Sequence, residues 1–427
     1  MRIGSLFIFW PWYKLPTHIR VRKALEEMGI VYIKFAQHCA TFTEIFDTET
    51  VKELSKMQTN VKPYHAKTII NIIKDNLGNL FDNLEHIDPN YIGSASIAQV
   101  HKASLVLNDK RIEVAIKVIK PNVEKMYKKD IKFLYLVAKV LTRLSKQFFR
   151  LNLVNLVKIF ETCMLNELNL LIEAASMDEM RECKIPNLVI PKVYWHFSNE
   201  KVLVMDYIRG ISIREKEQLI ANNCSIKEII SNLTTIFFYQ AYEYGFFHGD
   251  LHPGNLLVLQ NNKIAMIDFG IVGHISKKDK FVIAQTLHSF LEGNYFKIGL
   301  IHKFAGYLNK DIDLHDFAKS MRTIGECLFN KELKDISIGI LLKRLFSVGL
   351  RFDMELQPQL ILVQKTTLSM ERLIKHLDPN ANPYVIAKPW IRAWSIRNMS
   401  YFAILKEKIG RKYQKTFGLE GFFKQFD

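Results

Sequence analysis

Three oxygen-bearing side chains stand at a spacing that suits phosphoryl transfer. Asp250 and Asn255 lie five positions apart in His248-Gly249-Asp250-Leu251-His252-Pro253-Gly254-Asn255, and Asp268 opens Asp268-Phe269-Gly270 eighteen positions after Asp250. Such chemistry needs a carboxylate facing the attacking group, and a carboxamide and second carboxylate holding magnesium against the phosphates. Either string alone is a weak match. Both together, in this order and at a loop-then-strand spacing, are hard to obtain by chance. Asp250 is therefore expected to act as base or to position the acceptor, and Asn255 and Asp268 to hold Mg2+.

The remaining parts lie upstream. The spacing of Asp250 and Asn255 matches the catalytic loop H-R-D-x-x-x-x-N of kinases, and Val114-Ala115-Ile116-Lys117 matches their V-A-I-K strand. Lysine suits that place because a point charge on a flexible stem reaches the α- and β-phosphates of ATP or ADP. The kinase phosphate loop G-x-G-x-x-G-x-V aligns with Gly93-Ser94-Ala95-Ser96-Ile97-Ala98-Gln99-Val100, with alanine for two of the three glycines. Alanine resists positive φ and close backbone approach, so the loop is expected to be stiffer and to hold the γ-phosphate differently. A buried lysine needs a carboxylate partner. Glu161, Glu167 and Glu173 are the candidates, and Glu173 is chosen.

These residues must be positioned by a small sheet followed by a large helical part. Residues 18–80 have helical periodicity, and Asp88-Pro89-Asn90 is a turn signal. Two β-like runs, Ile97–Leu107 and Ile112–Ile119, are split by Asn108-Asp109-Lys110 and read as a hairpin. Residues 123–182 return to helix, and two strands are expected at Val189–Phe197 and Lys201–Tyr207. Most of the chain from 212 onward reads as helix, interrupted around 246–272. The segment Met205-Asp206-Tyr207-Ile208-Arg209-Gly210 falls at the joint between the two parts, which puts Met205 among the nucleotide-binding residues. The expected divisions are a helical extension (1–80), a smaller lobe (81–210), a mainly helical lobe with the catalytic loop (211–350) and a basic helical region (351–427).

The 427 residues carry a formal charge of +16 and are 48% hydrophobic, ample for a sizeable core and inconsistent with disorder. The positive charge would attract nucleotide phosphates or an anionic membrane, but no zinc finger or RNP string points to nucleic acid. Cys39, Cys163, Cys183, Cys224 and Cys327 form no C-x-x-C pair, so a reducing, cytoplasmic setting is expected. Basic and aromatic residues concentrate at the ends: Phe7, Phe9, Trp10, Trp12 and Tyr13 precede Lys14, Arg20, Arg22 and Lys23. Trp390, Trp394, Tyr401, Phe402 and Phe417 lie among Arg392, Arg397, Lys406, Lys408, Arg411, Lys412 and Lys415. They suit peripheral contact with an anionic leaflet, or equally an ordinary terminal helix with solvated lysines. No apolar run is long enough to span a bilayer.

The run Gly93–His101, the loop His248–Asn255 with its Pro-Gly, and Lys34-Phe35-Ala36-Gln37 together resemble the UbiB-type (ADCK) atypical kinases, over roughly residues 15–350. The resemblance implies an α+β, two-lobed protein-kinase-like fold with an added N-terminal helical extension, and a role in ubiquinone biosynthesis. It also implies an Ala-rich phosphate loop, and a K-x-G-Q motif on the added helix that folds over the active site. Lys34 and Gln37 match that motif, while Ala36 replaces its glycine. The family's E-x-D motif corresponds to Glu167-Leu168-Asn169, with Asn169 replacing the aspartate. Lys34, Gln37, Glu167 and Asn169 are thereby expected to be regulatory, and the family's helix glutamate lands on Glu173.

Two features constrain the acceptor without the resemblance. Gly249 stands where protein kinases carry arginine, and no A-P-E string follows Asp268-Phe269-Gly270 before Ile271-Val272-Gly273-His274 runs towards helix. Docking of a protein substrate is therefore not expected. His248 and His252 are read as shaping the loop. The resulting expectation is an ATP- and Mg2+-dependent kinase or ATPase at the cytoplasmic membrane face, its acceptor being water, a lipid precursor or a partner protein of quinone synthesis. The rival is a nucleotide-gated scaffold for quinone-synthesis proteins with little turnover. Direct hydroxylation of a polyprenylphenol lacks any flavin fingerprint or metal triad.

Overall fold

The computed structural model describes residues 15–39, 48–54, 57, 63–144, 153–309, 311–329, 337–352, 354 and 358–398. In chain order come helices α1 (Thr17–Met28), α2 (Ile30–Cys39), α3 (Thr48–Leu54) and α4 (Ala66–Leu77). Strands β1 (Leu84–Glu85), β2 (Tyr91–Ser94), β3 (Ala98–Leu107) and β4 (Lys110–Ile119) follow. Next are α5 (Val123–Leu144), α6 (Leu153–Glu167), α7 (Leu170–Glu182), β5 (Leu188–Val189), β6 (Val202–Asp206), β7 (Ile211–Ser212), α8 (Lys216–Ala221), α9 (Ile226–Phe238) and β8 (Phe246–His248). The last elements are β9 (Leu256–Val258), β10 (Ile264–Met266), β11 (Val272–His274), α10 (Lys277–Leu291), α11 (Tyr295–Phe304), α12 (Leu314–Phe329), α13 (Ile338–Arg351), α14 (Pro358–Leu377) and α15 (Pro383–Asn398). They form two compact units: residues 1–224 with 250–272, and residues 225–249 with 273–427.

In the first unit, β3 and β4 pair along their whole length, from Ala98–Ile119 to Leu107–Lys110. Asn108 and Asp109 close this hairpin with φ of 48° and 58°. That left-handed backbone is tolerated by Asn and Asp, whose side chains bond locally, and it matches the twist of the strands. The sheet runs β1-β3-β4-β6, with β2 also paired to β3. Alternation gives it two faces. One face places Ala103, Leu105, Val114, Ile116, Val118, Val202 and Val204 against Ile69, Ile73 and Leu77 of α4. Those α4 residues recur every four positions, so one side of the helix covers the sheet. Each buried aliphatic side chain contributes roughly 1.5–3 kcal/mol. The opposite face carries Val100, Lys117 and Leu203 in register across three strands, with Ala115 beside Met205.

A second sheet in this unit runs β5-β10-β9-β7, with β5 parallel to β10 and the other pairs antiparallel. The strand expected over Val189–Phe197 does not form. Leu188–Val189 joins β10, Val193 makes an isolated bridge to Met205, and Trp195–Phe197 is a 3-10 turn. Pro191 has no N–H to donate to a ladder, which breaks the run. The helix expected across 18–80 is divided at Gly29, whose φ of 113° closes α1. Asp88 accepts the Asn90 N–H at 2.8 Å, the turn expected there.

In the second unit, α9 continues into a π turn over Tyr239–Tyr244 that ends at Gly245, in the left-handed conformation glycine favours. Strand β8 then pairs with β11. Trp390 packs against Phe238, Tyr239 and Tyr242 and stacks on Trp394, which is 4% exposed. Trp394 is thus buried within this aromatic cluster and is not available as a surface anchor, whereas Trp390 is only partly buried. The other terminal aromatics named above, and the basic residues Lys14, Lys406, Lys408, Arg411, Lys412 and Lys415, lie outside the described residues. Among the described residues no helix is long and apolar enough to cross a membrane.

Candidate active site

Lys117 sits near the end of β4, on the sheet face away from α4. Its Nζ lies 2.6 Å from Glu173 Oε1 and 3.0 Å from Asp268 Oδ2. Glu173 comes from the first turn of α7 and is almost fully buried. The same Oε1 accepts the Phe269 N–H at 3.2 Å. One carboxylate oxygen therefore ties β4 to the segment after β10. Of the other two candidate glutamates, Glu161 accepts from Tyr135 Oη at 2.8 Å and Glu167 pairs with Lys34.

Burial by itself draws the Lys117 pKa down, but the charges of Asp268 and Glu173 outweigh it and hold the ammonium above the ordinary lysine value. Burial pushes the Glu173 carboxyl up, and the Lys117 ammonium opposes that shift. The cluster holds one cation and two carboxylates, so it carries a surplus negative charge when ionised. A cationic or metal-bridged ligand is the natural complement.

The hairpin of β9 and β10 brings the acidic loops together. Ile267 N–H donates to Asn255 O at 3.1 Å, which sets Asn255 beside the residue preceding Asp268. Asp268 Oδ1 accepts the Gly270 N–H at 3.0 Å. In the loop after β8, His252 N–H donates to Asp250 O at 2.7 Å and Asn255 N–H to His252 O at 2.9 Å. His252 Nδ1 accepts from Gly254 N–H at 3.2 Å, so this histidine shapes the loop as expected. His248 is fully buried in the second unit, its N–H donating to Gln240 Oε1 at 3.2 Å. Among the described residues no three His, Cys, Asp or Glu side chains cluster as a self-sufficient metal site. One carboxylate and one carboxamide fit magnesium instead, a hard ion that takes few protein oxygens and completes its shell with phosphates and water.

The segment Gly93–Val100 forms the tip between β2 and β3, with Gly93 opposite Val100 and Ser94 opposite Gln99. Ala95 N–H donates to Ala98 O at 2.9 Å and closes the turn. Ile97 and Ala98 are buried, as is the Ser96 residue. Val100, Ala115 and Met205 share the Lys117 face, forming an apolar strip of the kind that accepts an aromatic base.

In the extension, Lys34 on α2 is ion-paired with Glu167 at the end of α6, and Gln37 Nε2 donates to Met57 O at 2.8 Å. Ala36 is 1% exposed. Asn169 has a different task from a metal ligand: its Oδ1 accepts the Leu171 N–H at 3.0 Å and caps α7. Asn and Asp are equally good N-caps, so the departure at 169 preserves the start of the helix that carries Glu173.

Several polar residues around the loops were not singled out by the motifs. Gln99 is fully buried and exchanges two hydrogen bonds with the Tyr64 backbone, at 3.0 and 3.2 Å. His101 Nδ1 donates to Asp88 O at 2.7 Å, which leaves Nε2 to accept from Gln99 Nε2 at 2.9 Å. Lys120 is buried below the loop tip. Arg214 Nη2 lies 3.0 Å from His252 Nε2. The available signal was the spacing of Gln99 and His101, two polar residues on the otherwise apolar face that also carries Ala103, Leu105 and Leu107.

Comparison with known proteins follows the same lines. A family model for the ABC1 atypical kinase-like domain matches residues 56–302, and a model for the UbiB helical domain matches residues 321–382. The chain is 34% identical to the probable protein kinase UbiB of Azotobacter vinelandii, over 97% of this chain and 79% of that protein. It is 35% identical to the protein of the same name in Photobacterium profundum, over 91% of this chain and 72% of that protein. A solved structure of the Mycobacterium tuberculosis protein Rv3197 in complex with erythromycin has a similar fold. Its TM-score is 0.56 at 21% identity, covering 88% of each chain. With an α+β kinase-like architecture, N-terminal helices before the sheet and matches to both family models, this chain belongs to the UbiB family of ABC1 atypical kinase-like proteins.

Proposed function

We propose that the chain is an ATP-binding, magnesium-dependent atypical kinase or ATPase that supports ubiquinone biosynthesis at a membrane surface. The observation that carries this reading is the cluster of Lys117 with Glu173 and Asp268, 2.6 and 3.0 Å away. Lys117 clamps the α- and β-phosphates of ATP, and Glu173 orients it. Gly93, Ser94, Ala95, Ser96, Ile97, Ala98 and Val100 cover the phosphates, while Met205 and Val100 border the base. Asn255 and Asp268 hold Mg2+, which when bound neutralises charge developing on the phosphates. Asp250 accepts the proton of the attacking hydroxyl or positions a water. Lys34, Gln37, Glu167 and Asn169 regulate access. The part played in ubiquinone biosynthesis comes with the family, and the acceptor is water, a lipid precursor or a partner protein of quinone synthesis.

Asp268→Asn is expected to abolish Mg-nucleotide turnover and the magnesium-dependent part of nucleotide affinity. Titration calorimetry with and without Mg2+, on a variant that still unfolds cooperatively, measures this. Unchanged affinity and turnover would contradict the assignment. The nucleotide-gated scaffold is the second reading, favoured by the alanines at 95 and 98 in the loop. Single-turnover phosphate release with anionic vesicles and a quinone-headgroup analogue separates the two, since background release in every condition favours the scaffold.

A further inference from the structure

Lys120 is 2% exposed and no carboxylate among the described residues pairs with it. Its Nζ donates to Ser94 Oγ at 3.0 Å and to the Ala95 carbonyl at 2.6 Å. Burial lowers its pKa below the ordinary lysine value. Either protonation state keeps at least two N–H donors, so both bonds survive a change of charge.

The side from which Lys120 reaches the loop is fixed by strand parity. Lys120 N–H donates to Ile97 O at 2.8 Å, which extends the β3–β4 pairing one residue beyond Ala98–Ile119. Lys120 therefore shares a face with Val118, in the core against α4, and not with Lys117. Ser94 lies opposite Gln99, and Gln99 lies opposite Val118. Ser94 thus faces the same way, as its bond to Lys120 requires. Lys117 works at the front of the sheet and Lys120 grips the loop from the back.

That grip has a stereochemical consequence. All peptide bonds here are trans, so the C=O and N–H of the 95–96 peptide point in opposite directions. With the Ala95 carbonyl bound to the Lys120 ammonium, the Ser96 N–H points away from Lys120. The neighbouring groups are already occupied: Ala95 N–H by Ala98 O, and Ile97 O by Lys120 N–H. Among the described residues the Ser96 N–H has no acceptor. We infer that Lys120 is a positioning residue that presents the Ser96 N–H to the terminal phosphates of a bound nucleoside triphosphate. The inference rests on the nucleotide reading above. It supplies what the missing glycines otherwise do, since an alanine-bearing loop cannot easily rotate its peptides towards a phosphate. A loop pinned from behind has the needed peptide orientation before the ligand arrives.

The test uses the full chain with Lys120→Met, which keeps the stem and removes the donors, and Lys120→Arg, which keeps donors. Binding of Mg-AMPPNP and of adenosine is measured by calorimetry, and hydrogen exchange of residues 93–98 is followed without ligand. Lys120→Met is expected to bind Mg-AMPPNP about tenfold more weakly while adenosine affinity stays within about twofold. Its loop amides should exchange faster, and Lys120→Arg should recover most of both effects. A merely structural loss would weaken the two ligands alike and overturn the inference. So would a Lys120→Met protein with wild-type Mg-AMPPNP affinity and wild-type exchange. If the wild type binds neither ligand, the nucleotide reading fails, and the role given to the Ser96 N–H falls with it. Ser94→Ala, a milder change that removes one of the two acceptors, should shift both readouts in the same direction by less.

Discussion

A single oxygen of Glu173 receives the Lys117 ammonium at 2.6 Å and the Phe269 amide at 3.2 Å. With side chains 9% and 6% exposed, Lys117 and Glu173 form a buried pair in which removing one charge leaves the other poorly compensated. Asp268 remains as a second partner for Lys117, which limits the loss. Glu173→Gln is therefore expected to lower the unfolding free energy by about 3 kcal/mol, the low end for breaking a buried pair. Urea unfolding measures the loss. A double cycle with Lys117→Met should show coupling above about 1 kcal/mol, and additive single effects would refute the pairing as an energetic unit. The choice of glutamate shows how far residue types lead. Glu161, Glu167 and Glu173 are chemically equivalent in sequence, yet the first serves Tyr135, the second Lys34 and only the third Lys117.

At the level of elements, α7 connects a motif departure to the cluster. Asn169 was legible as a departure from the family aspartate, and its amide oxygen caps the helix bearing Glu173. Asn169→Ala should destabilise the protein by about 1 kcal/mol, whereas Asn169→Asp should be neutral or slightly stabilising beside the positive end of the helix. Thermal and urea denaturation would register both. An Asn169→Ala protein as stable as the wild type would remove the capping role. The β3–β4 hairpin was readable because turn residues and β-branched runs are local signals. The run 189–197 was misread because its apolar composition resembles a strand, while Pro191 and competition between two sheets divide it between β10 and Met205.

The whole chain carries +16 at neutral pH and so gains further repulsion as carboxylates protonate. A specific acid sensitivity adds to this. His302 on α11 is buried, its Nδ1 donating to Ile298 O at 2.9 Å, and burial lowers its pKa from 6.5 to about 4. The unfolded chain binds a proton at this histidine below pH 6.5, whereas the folded chain resists binding it until about pH 4. Its contribution is thus complete above pH 6.5, shrinks as pH falls towards 4 and changes no further below that. The loss amounts to a few kcal/mol. Melting temperatures from pH 7 to 4 should fall more steeply for the wild type than for His302→Leu. Parallel curves would show that His302 is not the cause.

The sequence by itself determined the family, the kinase-like fold class and the order of the motifs along the chain. Those depend on residue types at short separations, where Asp250, Asn255, Val114–Lys117 and Asp268-Phe269-Gly270 carry their own spacing. Only the tertiary structure decided which groups meet and from which side. Lys117 and Asp268 are 151 positions apart, and Lys34 and Glu167 are 133 apart. No local pattern encodes such pairings, because they depend on how strands and helices pack. Lys117, near the end of β4, and Lys120, just beyond it, look alike three residues apart. The alternation of side chains across a sheet sends one to the front and the other to the back.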